Sequence, residues 1–202
     1  IYKESVKSIN ISKSKECVLM ETETLIEIQD FKGNVLFSVE KDCSFDRSYF
    51  SPKSNYLVVE RHKAIDASQS SWVNYFLVST TDWQIVSENR DDMCKLNAFQ
   101  DEEKEGNNII FSPDESLIIT RSCIDFTLNL YDSKTGMIIH RLVAHKDYIT
   151  DFEFSEDGNY VITGSCDNTA IIWDITSELF DYKYLKGTIN GVKDAIISPD
   201  GK

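Results

Sequence analysis

His145, Ser165 and Asp167 are the residue types of a hydrolytic triad. They are gathered in one stretch, HKDYITDFEFSEDGNYVITGSCDNTAIIWD, at 145–174. A histidine base, a serine nucleophile and an orienting carboxylate would perform acyl transfer. That chemistry needs a serine on an exposed, strained turn, with oxyanion donors facing it. Ser165 instead closes the apolar run YVITG at 160–164, between Gly164 and Cys166, and no G-x-S-x-G elbow surrounds it. The competing reading is structural: buried polar side chains satisfying one another inside a sheet.

Other chemistry finds little support. The five cysteines, Cys17, Cys43, Cys94, Cys123 and Cys166, are odd in number and form no C-x-x-C pair. They read as buried free thiols of a reducing compartment. His62 has no second ligand at metal spacing, and His140 reads as a strand residue. No carboxylate pair has a positional argument for acid–base work. No catalytic residue, metal or cofactor is expected. The sequon Asn10-Ile11-Ser12 is too short a pattern to imply secretion.

The elements that must position these residues follow a repeat. FSPK begins at 50, FSPD at 111, FSED at 154 and ISPD at 197, the last three 43 residues apart, with ISKS at 11 a weaker copy. An apolar run follows each strong copy but the last: YLVVE at 56–60, SLIIT at 116–120, YVITG at 160–164. Further runs come after polar turns: LIEIQD, FTLNLYD and TAIIWD, then NVLFSV, MIIHRL and FDYKYL. These short runs, rich in Ile, Val, Phe and Tyr and bounded by Gly, Asn, Asp and Ser, are strands, and no stretch reads as an amphipathic helix. Four strands per 43 residues is the sheet unit of a propeller. The expected fold is all-β: a β-propeller segment of about four four-stranded antiparallel blades, with residues 191–198 as the first strand of a fifth. Residues 1–202 are read as one segment, with blades at 5–42, 43–88, 106–144 and 147–187 and the next starting at 190–202. Strands are expected at 6–12, 17–22, 25–30 and 34–40; at 45–51, 55–61, 73–79 and 83–88; at 107–112, 116–122, 126–132 and 137–143; and at 149–155, 160–165, 169–175 and 180–186.

The 145–174 stretch resembles a WD repeat. The family pattern has a His before the first strand, a Ser/Thr, an Asp two residues later and a Trp six further on. Here these are His145, Ser165, Asp167 and Trp173, followed by Asp174. The resemblance implies a structural relay: Asp167 accepts from His145, His145 bonds Ser165, and Ser165 bonds the indole N–H of Trp173. The other copies are degraded. The third has Asp125, Tyr131 and Asp132 but Cys123 at the hydroxyl position; the first keeps IQD at 28–30 without the Trp; the second lacks both Trp and turn Asp. The resemblance also implies a larger ring than four blades, so the segment is expected to be completed by further blades or by a partner, its edge groups otherwise unpaired.

Loops of the top face are where such a fold binds partners. Two insertions fall there, 62–72 between the second and third strands of blade two, and about 89–106 between blades two and three. Residues 88–105 hold seven acidic and three basic side chains. The candidate partner-binding residues are Trp72 and Phe99 as anchors, with Asp91, Asp92, Asp101, Glu102, Glu103 and Glu105 as a rim. Arg121, Lys146 and Asp147 join them from the family geometry alone. The chain's net charge of −13 repels phosphate backbones and anionic lipid, so no direct nucleic acid and no membrane partner is expected. The resulting expectation is a non-catalytic, intracellular and cytoplasmic scaffold that binds other proteins. The rival is an accessory propeller of a larger enzyme or signalling ATPase whose catalytic domain lies outside this chain.

Overall fold

A computed structural model of the chain describes residues 5–12, 15–41, 47–64, 70–95, 109–122, 125–186, 191–196 and 198; side chains at 61–64, 70–75, 89–95 and 186 are outside the description. Its described residues form sixteen strands and no helix. Four sheets of four antiparallel strands follow one another along the chain, each a simple meander. The first holds β1 (Ser8–Ile11), β2 (Cys17–Glu21), β3 (Leu25–Asp30) and β4 (Val35–Glu40). The second holds β5 (Arg47–Phe50), β6 (Tyr56–Ala64), β7 (Ser70–Ser79) and β8 (Ile85–Lys95). The third holds β9 (Ile109–Phe111), β10 (Leu117–Arg121), β11 (Leu128–Asp132) and β12 (Ile138–Leu142). The fourth holds β13 (Ile149–Phe154), β14 (Tyr160–Ser165), β15 (Thr169–Asp174) and β16 (Tyr182–Lys186). All-β architecture in four-stranded blades is what the 43-residue repeat predicts.

Two compact units divide the chain, Ile1–Leu96 and Asn97–Lys202. In the first, Leu19, Ile26 and Ile28 of sheet one pack with Leu57, Val59 and Val78 of sheet two. In the second, Leu128, Leu130 and Leu142 pack with Phe152, Phe154, Val161, Ile171 and Trp173. Each of these side chains leaves water almost completely. Burial of that kind contributes roughly 1.5–3 kcal/mol per large side chain.

The repeated tetrapeptide has a structural reason. Its serine ends the first strand of the sheet, and the hydroxyl oxygen accepts the N–H that opens the second. Tyr56 N–H donates to Ser51 Oγ at 3.0 Å, Leu117 N–H to Ser112 Oγ at 2.9 Å and Tyr160 N–H to Ser155 Oγ at 2.9 Å. In sheets three and four the same hydroxyl donates to the turn carboxylate, Asp114 or Asp157, at 2.6 Å. The Asp that ends the third strand works similarly. Asp30, Asp132 and Asp174 each accept the backbone N–H two residues on, pinning the turn into the fourth strand.

Sheet two departs from expectation. The residues read as an insertion at 62–72 are mostly strand. β6 and β7 continue pairing through His62↔Val73, Lys63↔Trp72 and Ala64↔Ser71. β8 follows them, to Ser70↔Lys95, so the second insertion begins as strand rather than loop. Apolar alternation marks only strands with a buried face. A backbone ladder continues wherever both partners stay extended, and this extension lacks that apolar signature. Residues 191–196 are not strand. They lie beside β13, with Thr150 Oγ1 donating to the Val192 carbonyl and Ala195 N–H to Asp151 Oδ2. A strand needs a ladder partner, and among the described residues none stands on their other side.

Candidate functional site

The stretch at 145–174 places its polar side chains around the β14–β15 hairpin. His145 lies in the connection from β12 to β13, and its side chain is fully shielded from solvent. Its Nδ1 faces Asp167 Oδ2 at 3.0 Å. Its Nε2 faces Thr163 Oγ1 at 2.7 Å. The Trp173 indole N–H donates to that same hydroxyl at 3.1 Å. One arrangement of protons satisfies every member: Trp173 N–H to Thr163, Thr163 O–H to His145 Nε2, and His145 Nδ1–H to the carboxylate.

The hydroxyl of this chain is Thr163, not Ser165. Ser165 is fully buried, but its Oγ donates to the Asp147 carbonyl at 3.0 Å and accepts Asp167 N–H at 3.1 Å. The register explains why. Trp173 pairs with Val161 across the hairpin, so Thr163 is its diagonal neighbour on the same face. Ser165 lies four residues from that partner, roughly 13 Å along the strand. Counting back across the turn from Trp173 would have found Thr163 in the sequence; spacing from Asp167 alone selected the wrong hydroxyl.

Asp167 is the most connected member. Lys146 N–H donates to Oδ2 at 2.9 Å, while Thr169 N–H and Oγ1 donate to Oδ1 at 2.9 and 2.6 Å. Burial pushes its carboxyl up, but the Thr169 hydroxyl, the Lys146 N–H and the His145 ring outweigh that and hold it at about 2. The group is therefore a fixed anion that fastens the β12–β13 connection to the hairpin. Acyl transfer has no foothold: Ser165 is sealed from solvent and bonded to backbone, and His145 addresses a threonine whose oxygen already receives the indole. The third sheet, whose preceding connection has no histidine in its sequence, answers differently. Asp125 accepts from Thr127 at 2.7 Å and pairs with Arg141 of β12.

A family model for "WD domain, G-beta repeat" matches residues 136–174. The chain carries a WD repeat. Over 65 residues it is 34% identical to the U3 small nucleolar RNA-associated protein 21 homolog of Schizosaccharomyces pombe, covering 32% of this chain and 7% of that protein. It is 32% identical over 78 residues to the serine-threonine kinase receptor-associated protein of Gallus gallus, 39% of this chain and 22% of the relative. It is 37% identical over 62 residues to WD repeat-containing protein pop1 of Schizosaccharomyces pombe, 31% of this chain and 8% of the relative. The chain thus spans less than a quarter of the length of these relatives.

Around the WD repeat, the candidate partner-binding residues divide. Lys146 is exposed, and the Asp147 side chain accepts its neighbour Tyr148 N–H at 2.8 Å. Arg121, at the end of β10, is turned inward. Its guanidinium donates to the Ile149 carbonyl at 2.9 Å and lies over the Phe152 ring, 5.8 Å from the centroid. That makes it a clamp between sheets three and four rather than a free contact. The backbone places Trp72 on β7 at a bulge opposite β8, and Asp91 and Asp92 on β8. Phe99, Asp101, Glu102, Glu103 and Glu105 lie outside the described residues. Among the described residues, no His/Cys/Asp/Glu group could hold a metal and no helix is long and apolar enough to cross a membrane.

Proposed function

We propose that this chain is part of a non-catalytic scaffold that binds other proteins, the WD repeat acting as a rigid mount for contact residues. The observation that carries this reading is the fate of the one plausible catalytic set. His145 and Asp167 spend their polar atoms on Thr163, Thr169, Lys146 and each other, while Ser165 spends its own on backbone groups. One relative is named as associated with a serine-threonine kinase receptor, a protein partner.

The contact surface we assign is the acidic segment 88–105 with the extended β6–β8 sheet leading to it. Trp72 and Phe99 are its apolar anchors; Asp91, Asp92, Glu102 and Glu103 are its charged rim; Lys146 and Asp147 are candidate contacts of the WD repeat in their own right. Contacts on β7 and β8, such as Trp72, Asp91 and Asp92, lose little backbone ordering entropy on docking. The two cysteines whose side chains are described, Cys17, buried, and Cys166, exposed rather than buried as expected, are free thiols, in keeping with an intracellular, cytoplasmic setting. The test is quantitative affinity capture with the natural full-length protein, wild type against the triple variant Phe99→Ala, Glu102→Lys, Glu103→Lys. Selective loss of a subset of retained proteins, with thermal stability unchanged, supports the surface. Identical retained sets contradict it. A hydrolytic activity that Ser165→Ala abolishes without destabilising the fold would contradict the non-catalytic reading itself.

A further inference from the structure

The four sheets each end in an outer strand, β4, β8, β12 or β16, and these edges are not alike. The pairings that hold β4, β8 and β12 each contain a register shift, between Ile28 and Gln29, twice along β7, and between Leu130 and Tyr131. Bulges of this kind twist an edge away from further pairing. The β15–β16 pairing alone runs unbroken, from Thr169↔Lys186 to Trp173↔Tyr182. β16 has no strand on its other side among the described residues.

Its outward groups can be identified. Asp174 N–H donates to the Asp181 carbonyl, so residues 181, 183 and 185 exchange bonds with β15. Tyr182 and Tyr184 therefore point their N–H and C=O toward solvent. Both side chains are also exposed, at 48% and 41%, braced edge-to-face on one another at 5.5 Å and, through Tyr182, on Trp173 at 4.9 Å. The opposite face of the strand carries Lys183 and Leu185, both exposed. β12 and β16 carry Arg141, Lys183 and Lys186 and no carboxylate, in a chain with 34 acidic and 21 basic residues.

We infer that the free edge of β16 takes up an extended acidic segment of another protein as an added strand. Main-chain bonds to Tyr182 and Tyr184 supply affinity, the tyrosine rings cover apolar side chains of the incoming strand, and Lys183 selects carboxylates on its alternate residues. The same lysine disfavours pairing with a second copy of β16. The proposal uses no residue of the acidic segment assigned above and stands or falls independently of it.

The test is fluorescence anisotropy of the full chain with three dye-labelled peptides: alternating Val and Glu, alternating Val and Lys, and the Val–Glu peptide N-methylated at alternate residues. Only the first is expected to bind, with the other two weaker by about tenfold or more. Lys183→Glu, an exposed change that leaves the fold intact, should weaken the Val–Glu peptide about tenfold and admit the Val–Lys peptide. Failure of the Val–Glu peptide to bind, equal binding of the N-methylated form, or indifference to Lys183→Glu overturns the proposal.

Discussion

Thr163 holds two buried partners with one hydroxyl, so its loss leaves the indole N–H and the imidazole Nε2 both unsatisfied. Thr163→Val should therefore cost about 2–4 kcal/mol in urea unfolding, and Thr163→Ser, which keeps the hydroxyl, under about 1 kcal/mol. Asp167 adds a pH dependence. Its folded carboxyl is lowered from 3.8 to about 2, so the ionised form favours the fold. That contribution, about 2 kcal/mol, is complete above roughly pH 4 and disappears as pH falls through about 2. The stability gap between wild type and Asp167→Asn should accordingly narrow between pH 4 and pH 2. A gap that stays constant over that range would show that the charge plays no part.

At the level of strands and turns, the close approach of 191–196 to sheet four makes a sharp demand. A Cβ on Gly164 would stand 2.7 Å from Val192 Cγ1. Gly164→Ala is expected to cost about 1–3 kcal/mol, and Val192→Ala in the same chain to recover most of it; additive effects in that cycle would refute the contact. Sequence made the ordinary strands legible, because Ser51, Ser112 and Ser155 recur with the turn they cap and each is followed by a buried apolar run. It did not reveal the long reach of β6, β7 and β8, whose added residues carry no apolar alternation to read. It named three members of the WD-repeat relay and misplaced the fourth, since pairing across the hairpin, not distance from Asp167, decides which hydroxyl meets Trp173. The inward turn of Arg121 was likewise invisible: a charged residue at a strand end reads as surface until its donors are seen on the Ile149 carbonyl.

For the whole molecule, a net charge of −13 and a pI near 4.6 set the long-range field. Phosphate backbones meet repulsion, and a mobility-shift experiment at physiological salt is expected to show no retention of duplex DNA or structured RNA. Salt-sensitive retention of either would reveal a basic surface that outweighs the field. The proposed acidic surface carries a matching expectation: partners held through 88–105 should be basic there, and their retention should fall as salt is raised.

The polar residues of the WD repeat hold its hairpin together, and the Trp173 indole proton reports on this directly. Its solvent exchange, followed by NMR in wild type, Thr163→Val and Ser165→Ala, is the deciding measurement. The bond to Thr163 predicts slow exchange in wild type and in Ser165→Ala, and fast exchange with a lowered melting temperature in Thr163→Val. Fast exchange in Ser165→Ala with Thr163→Val unaffected would contradict it.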